Sequence, residues 1–236
     1  MKLRIHFSAL LVLAFMLTSS AQVTFGIEAG QLHSWHSTAL TFSDQNNSTL
    51  KGLSVNVSLY KNLNRFIHLG IEPGIAQRGT RHDYPDFISS SFIVSGTTLV
   101  TAPTSSFFYA GDVIHSTYVQ LPLLARVQVP LGNGNFGFFI KGGAGVSWVA
   151  SAYEEIGILG AEGIGGAILK IDFKNNDDFR RIDFGIHSGA GLNLKIGLGQ
   201  LSLGCIGYYG MSQISVGNDR RNRSIGYSLG YHILLN

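Results

Sequence analysis

Arg181-Ile182-Asp183-Phe184-Gly185-Ile186-His187-Ser188-Gly189-Ala190-Gly191-Leu192-Asn193-Leu194-Lys195-Ile196 decides the fold. Ile182, Phe184, Ile186, Ala190, Leu192, Leu194 and Ile196 fall on one parity. Asp183, Gly185, His187, Gly189, Gly191, Asn193 and Lys195 fall on the other. A period of two sustained this long is a strand with one apolar and one polar face. Strands of globular sheets cluster near about 5–6 residues. Crossing a bilayer takes about 9–11 tilted residues, which this stretch supplies.

The same alternation recurs through the chain. Strands are expected at about 24–33, 50–60, 65–77, 116–129, 136–149, 181–196, 201–214 and 223–234. In the second, Leu53, Val55, Val57 and Leu59 alternate with Ser54, Asn56 and Ser58. In the fifth, Phe136, Phe138, Ile140, Val146 and Trp148 alternate with Lys141, Gly143, Gly145 and Ser147. The connections alternate too. Asn- and Gly-rich turns at 61–64, 131–135 and 197–200 suit hairpins. Longer polar loops are expected at about 34–49, 78–115, 151–180 and 215–222. Short turns on one rim and long loops on the other characterise an outer-membrane barrel with its short side in the periplasm. The expected fold is therefore all-β: an eight-stranded antiparallel up-and-down transmembrane barrel with short periplasmic turns and long extracellular loops. A soluble sandwich or lipocalin-like barrel would turn its apolar parity inward. A small membrane barrel turns it outward and keeps small and polar residues in a tight lumen.

Composition agrees. Charged residues make up 13% of the chain, and there are 30 glycines. A typical soluble domain carries about 25% charged residues. Residues 1–21 read as a secretory signal: Lys2 and Arg4, an apolar core from Phe7 to Leu17, and small residues Ser19-Ser20-Ala21 before a cut at Gln22. Residues 22–236 are then one barrel domain. Removing Lys2 and Arg4 from the 17 basic residues leaves 15 against 14 acidic ones, so the high isoelectric point is no argument for nucleic acid. The one cysteine, Cys205, has no partner for an internal disulfide and sits on the apolar parity of its strand.

Four stretches resemble the PorT-like outer-membrane barrels of Bacteroidetes. They are Tyr118-Val119-Gln120-Leu121-Pro122-Leu123-Leu124-Ala125, Phe139-Ile140-Lys141-Gly142-Gly143-Ala144-Gly145, Asp183-Phe184-Gly185-Ile186-His187-Ser188-Gly189-Ala190-Gly191, and Asn222-Arg223-Ser224-Ile225-Gly226-Tyr227-Ser228-Leu229-Gly230-Tyr231. Their order and spacing carry the likeness over nearly all of residues 22–236. The resemblance implies an eight-stranded barrel and no particular chemistry. The family's namesake is tied to protein secretion across the outer membrane. Many outer-membrane barrels finish on an aromatic residue, whereas this sequence finishes Leu234-Leu235-Asn236.

The inward parity gathers Glu28, His68, Glu72, Arg126, Lys141, Asp183, His187 and Lys195. Charges in a narrow lumen must be paired or hydrated, so these eight are expected to form a polar network, with Glu72 and Arg126 as partners on adjacent strands. The network reads as a plug; a conducting pore is the competing reading. A lipid-modifying enzyme is a third. It would draw on His115-Ser116, or on His33 and His36, at the outer strand ends. However, adjacent strand residues point to opposite faces, so His115 cannot activate Ser116. His33, His36, His82 and Asp83 are too scattered for a strong metal signal. Asp177, Asp178, Arg180 and Arg181 read as a solvated rim. No cofactor is expected. The expected partners are outer-membrane lipid and an envelope or secretion-complex protein, the latter through the apolar loops 87–109 and 156–171. Ser95-Gly96-Thr97-Thr98 would turn a hairpin within the first of these.

Overall fold

The computed structural model describes residues 22–38, 47–84, 92–93, 99–100, 109–132, 134–160, 163–170, 179–214 and 220–235. The signal segment, Asp177, Asp178, the 95–98 turn and the side chains of His82 and Asp83 lie outside the described residues.

The chain is built of strands: β1 (Val23–Thr38), β2 (Asn47–Asn62), β3 (Ile67–Ile71), β4 (Gly74–Tyr84), β5 (Phe92–Ile93), β6 (Leu99–Val100), β7 (Tyr109–Leu131), β8 (Phe136–Gly160), β9 (Gly163–Lys170), β10 (Ile182–Ile196), β11 (Gly199–Gly210) and β12 (Arg220–Leu235). Hydrogen bonding runs β1 to β2, to β3 and β4, to β7, β8, β10, β11 and β12, and β12 pairs back with β1. Every pairing is antiparallel. With β3 and β4 counted as one stave, eight staves close a ring with no free edge, which is how a sheet satisfies its backbone in lipid.

The side chains divide as a membrane barrel requires. Leu123 is 59% exposed, Phe184 57% and Tyr227 54%, while Asp183 is 1% and Lys141 5% exposed. The greasy parity faces outward and the charged parity inward. Cys205 is on the outward face. Aromatics mark both ends of the outer wall. Trp148 and Tyr209 lie toward the loop rim, the latter beneath the Arg223 guanidinium at 3.4 Å; Phe66 sits under Arg65 at 4.4 Å on the turn rim.

Three tight connections close the turn rim: 63–66, 132–135 and 197–198. Gly132, Gly134 and Gly197 adopt φ of 58°, 81° and 58°, which a side chain would resist. The expected third strand is broken at Pro73, which has no N–H for the ladder. The break is bridged by Val57 N–H donating to Pro73 O at 2.8 Å and Glu72 N–H donating to Pro122 O at 3.2 Å.

The other rim departs from the expected long loops. β1 and β4 extend past 34 and 78. β7 begins at Tyr109, β8 runs to Gly160, and 163–170 is a strand paired to β8 from Tyr153↔Lys170 to Gly160↔Gly163. The apolar alternation fades there, although Arg78, Thr80, Ile114, Val149 and Ala152 are still buried, and the backbone ladder continues. β8 leaves β10 at Trp148↔Ile182 and takes β9 as its neighbour from Tyr153, so β4, β7, β8 and β9 rise together beyond the ring. β5 and β6 pair as Phe92↔Val100 and Ile93↔Leu99, the hairpin pairing expected around 95–98.

Candidate functional site: the lumen and its two mouths

The barrel interior is filled by polar side chains in two tiers. In the lower tier Lys141 Nζ lies 2.9 and 3.0 Å from the Glu28 carboxylate oxygens and 3.0 and 2.9 Å from those of Glu72. The Tyr60 hydroxyl donates to Glu72 Oε1 at 2.7 Å. One ammonium thus bridges two carboxylates, and all three side chains are at most 5% exposed. Arg126 lies on the turn side of this triad. Its Nη2 donates to Asn193 Oδ1 at 2.9 Å, its Nη1 is 3.4 Å from His232 Nε2, and its guanidinium lies 4.3 Å from the Phe139 ring centre. Ser58 and Ser202 hydroxyls hold the His232 ring at 3.2 and 3.1 Å.

The upper tier is built on Arg78. It donates to Gln120 Oε1 at 2.5 Å, and Gln120 donates on to Asn56 Oδ1 at 2.8 Å. The Arg78 guanidinium stacks over Tyr208 at 3.7 Å. Beside it Asn222 Nδ2 reaches both the Tyr118 hydroxyl, at 2.9 Å, and Asp183 Oδ2, at 2.8 Å. Between the tiers is a cavity of about 40 Å³ touched by Glu28, Arg78, Lys141, His187 and Tyr208. A water needs about 10–15 Å³ measured in this way, so a few fit. His187 Nε2, Tyr208 O–H and Arg78 Nε are buried without hydrogen-bond partners, and their residues line that space, which is large enough for water to reach them.

Glycines make the filling possible. A Cβ on Gly185 would lie 2.5 Å from the Tyr208 ring, and one on Gly26 would lie 2.2 Å from His232 Nδ1. Small residues on one strand thus leave room for large polar ones on the next.

Parity placed the eight expected residues at different depths. Glu28, Glu72 and Lys141 meet directly. Arg126 and Asp183 are buried in the lower and upper tiers, and His187 packs edge-on against Tyr208 at 4.8 Å. His68 is half-buried at the turn-side mouth, 2.5 Å from Asn62 Oδ1. Lys195 is exposed on that mouth and does not join the network. The expected Glu72–Arg126 pair does not form. The register sets His68, not Glu72, opposite Arg126, and Glu72 lies about 13 Å further along at about 3.3 Å per residue. Lys141, on a long flexible stem, reaches the lumen centre instead. Arg78 lies where the sequence reads as the start of a loop, so it is absent from the expected lumen set. It continues the inward parity of Glu72, Gly74 and Ala76, and one more step along the strand finds it. Among the described residues the buried charges of inward parity balance, Glu28, Glu72 and Asp183 against Arg78, Arg126 and Lys141, with Lys195 exposed at the mouth outside this sum.

At the loop rim His115 stacks on Tyr153 at 4.6 Å and lies 3.8 Å from Glu155. Ser116 and His36 line one cavity of about 10 Å³ walled by Tyr118, Phe179 and Ile214, which holds one water at most. His33 and His36 fall on opposite parities. Among the described residues no group of three or more His, Cys, Asp or Glu converges as metal ligands would.

A closed ring, an apolar outer wall and a charged, filled interior define a small outer-membrane β-barrel. Residues 15–216 match the outer membrane protein beta-barrel domain model, and the chain belongs to that family, which resides in the bacterial outer membrane. No curated protein matches the chain. Among solved structures it is similar to Ail, the attachment invasion locus protein of Yersinia pestis, crystallised with the heparin analogue sucrose octasulfate (12% identity, 90% of this chain and 99% of that one, TM-score 0.39). It is also similar to Neisserial surface protein A (14% identity, 89% and 96%, TM-score 0.38) and to the N-terminal β-barrel domain of Pseudomonas aeruginosa OprF (12% identity, 91% and 100%, TM-score 0.36). These likenesses are too distant for any residue or role to pass from those proteins to this one. The closed register of the ring and the family match carry the assignment.

Proposed function

We propose that this chain is a PorT-like, non-conducting and non-enzymatic barrel that serves the envelope by presenting its protruding sheet to a protein partner of a secretion or assembly complex. The observation that carries this reading is the charge-balanced filling of the lumen. The Lys141 triad, Arg126 with Asn193 and His232, and the Arg78–Gln120–Asn56 chain occupy successive levels, and the space between them is about 40 Å³. An interior of this size is one that side chains can fill. The strand motifs at 118–125, 139–145, 183–191 and 222–231 support the PorT-like assignment. The cavity shared by Ser116 and His36 has no room for an acyl chain, which argues against lipid chemistry there. The partner-facing role rests on β4, β7, β8 and β9, which continue as a paired sheet past the last β8–β10 contact at Trp148. Building that sheet adds nothing to crossing the membrane.

Planar-bilayer recording of the purified barrel tests the first half: no steady single-channel conductance is expected. A steady conductance would overturn the plug and favour the narrow pore. Co-purification under mild detergent tests the second half. A stoichiometric envelope protein lost on shortening β8 and β9 is the expected result, and an unchanged lone barrel would sink the partner role.

A further inference from the structure

The turn-side mouth of the barrel opens into a second, much larger cavity of about 560 Å³. That lies within the roughly 300–1,000 Å³ typical of small-molecule sites. Arg126 forms its inner wall, His68 and Gln128 its side, and Lys195 and Gln200 its rim; none of the described residues lining it is acidic. Arg126 is 4% exposed, and its Nε has no hydrogen-bond partner; His68 donates from Nδ1 to Asn62 Oδ1, which makes Nε2 the acceptor nitrogen of its ring. Neither Arg126 nor Lys195 forms an ion pair with a carboxylate among the described residues. The result is a carboxylate-free vestibule on the turn side: among the described residues the buried lumen charges, Arg126 included, cancel among themselves, and the Lys195 ammonium stands outside that balance.

We infer that this vestibule binds an oxyanion, a phosphate or carboxylate carried on a small polar body, between Lys195 and the recessed Arg126. Two sources present that chemistry: a soluble periplasmic anion, or the phosphate of a lipid headgroup in the inner leaflet. A shallow surface lysine would hold either one weakly. A recessed guanidinium with an unfilled donor, sharing a cavity with an exposed ammonium, gives a charge-assisted clamp.

The test is titration calorimetry of the mature chain in phosphatidylcholine nanodiscs, with inorganic pyrophosphate as the probe. Saturable binding is expected. Lys195→Gln and Gln128→Glu should each weaken it at least tenfold, because one removes a cation and the other adds an anion inside the vestibule. Neither residue takes part in the buried network, so folding survives both. Arg65→Gln, on the same rim outside the vestibule, should leave binding unchanged. Absence of saturable binding at millimolar pyrophosphate overturns the site, as does an Arg65→Gln loss equal to that of Lys195→Gln. Repeating the titration with phosphatidylglycerol in the discs separates the sources. Competition that Lys195→Gln abolishes supports the site with a lipid headgroup as occupant; undiminished binding supports it with a soluble one. Conductance plays no part in this experiment, so its failure and the failure of the plug are distinct.

Discussion

Lys141 on β8 and Glu28 on β1 lie 113 residues apart in sequence on staves that are not neighbours in the ring, yet the ammonium sits 2.9 Å from Glu28 Oε1. The same ammonium is 2.9 Å from Glu72 Oε2. A cross-lumen ion triad of this kind ties three walls of the cylinder together.

Removing the shared cation leaves two buried carboxylates facing each other without a counter-charge. Lys141→Met should therefore destabilise the barrel by about 3–5 kcal/mol. Urea unfolding in lipid vesicles measures this. The triple replacement with Glu28→Gln and Glu72→Gln should recover most of the loss, since amides need no counter-charge.

Outward parity predicts the opposite sensitivity for residues on the lipid face. Leu123→Arg places a guanidinium against hydrocarbon and should cost about 2–4 kcal/mol if Leu123 sits near the bilayer midplane. Leu131→Arg, at the turn rim of the same strand, should cost far less. Equal costs in the same unfolding assay would contradict the assigned depth.

Gly185 is small because Tyr208 lies over it. The added methyl of Gly185→Ala meets the ring at 2.5 Å, so the variant should lose about 1–3 kcal/mol through overpacking. Pairing it with Tyr208→Ser should restore part of that loss. A double-mutant cycle with no coupling would count against the contact.

Gly197 has open space around it and a φ of 58°, so its constraint is the backbone alone. Gly197→Val should cost about 1–2 kcal/mol and Gly197→Asn much less, because Asn tolerates the left-handed region. If the two variants were equally stable, the turn would have another conformation.

Orientation can be read on intact cells with Cys205→Ser as background. A cysteine at Tyr153, on β8 beyond the ring, should react with a membrane-impermeant thiol reagent. One at Leu63, in a turn-rim connection, should react only after the cells are opened. Reversed labelling would invert the barrel and place the Lys195 vestibule outside the cell.

The eight staves were readable because a bilayer imposes one rule at every level: outward apolar, inward small or polar. Ile182, Phe184 and Ile186 against Asp183, Gly185 and His187 announce it directly. The strand ends were not readable. Past Gln77 on β4 the outward parity carries Gly79 and Arg81 while Arg78 and Thr80 stay buried on the inward one, so hydrogen bonding extends the strand with no apolar row to mark it. The same blindness hid Arg78, which belongs to the lumen although it lies in a stretch that reads as loop.

What the sequence determined by itself was the topology and the side on which each residue lies, because parity is a local property of an extended chain. Which charges meet was decided only by the closed cylinder. Register and strand tilt set the depth of each inward residue, and closure brings β1 across from β8. Lys141 therefore finds Glu28 and Glu72, Arg126 turns to Asn193, and Lys195 is left at a mouth no single strand could foretell.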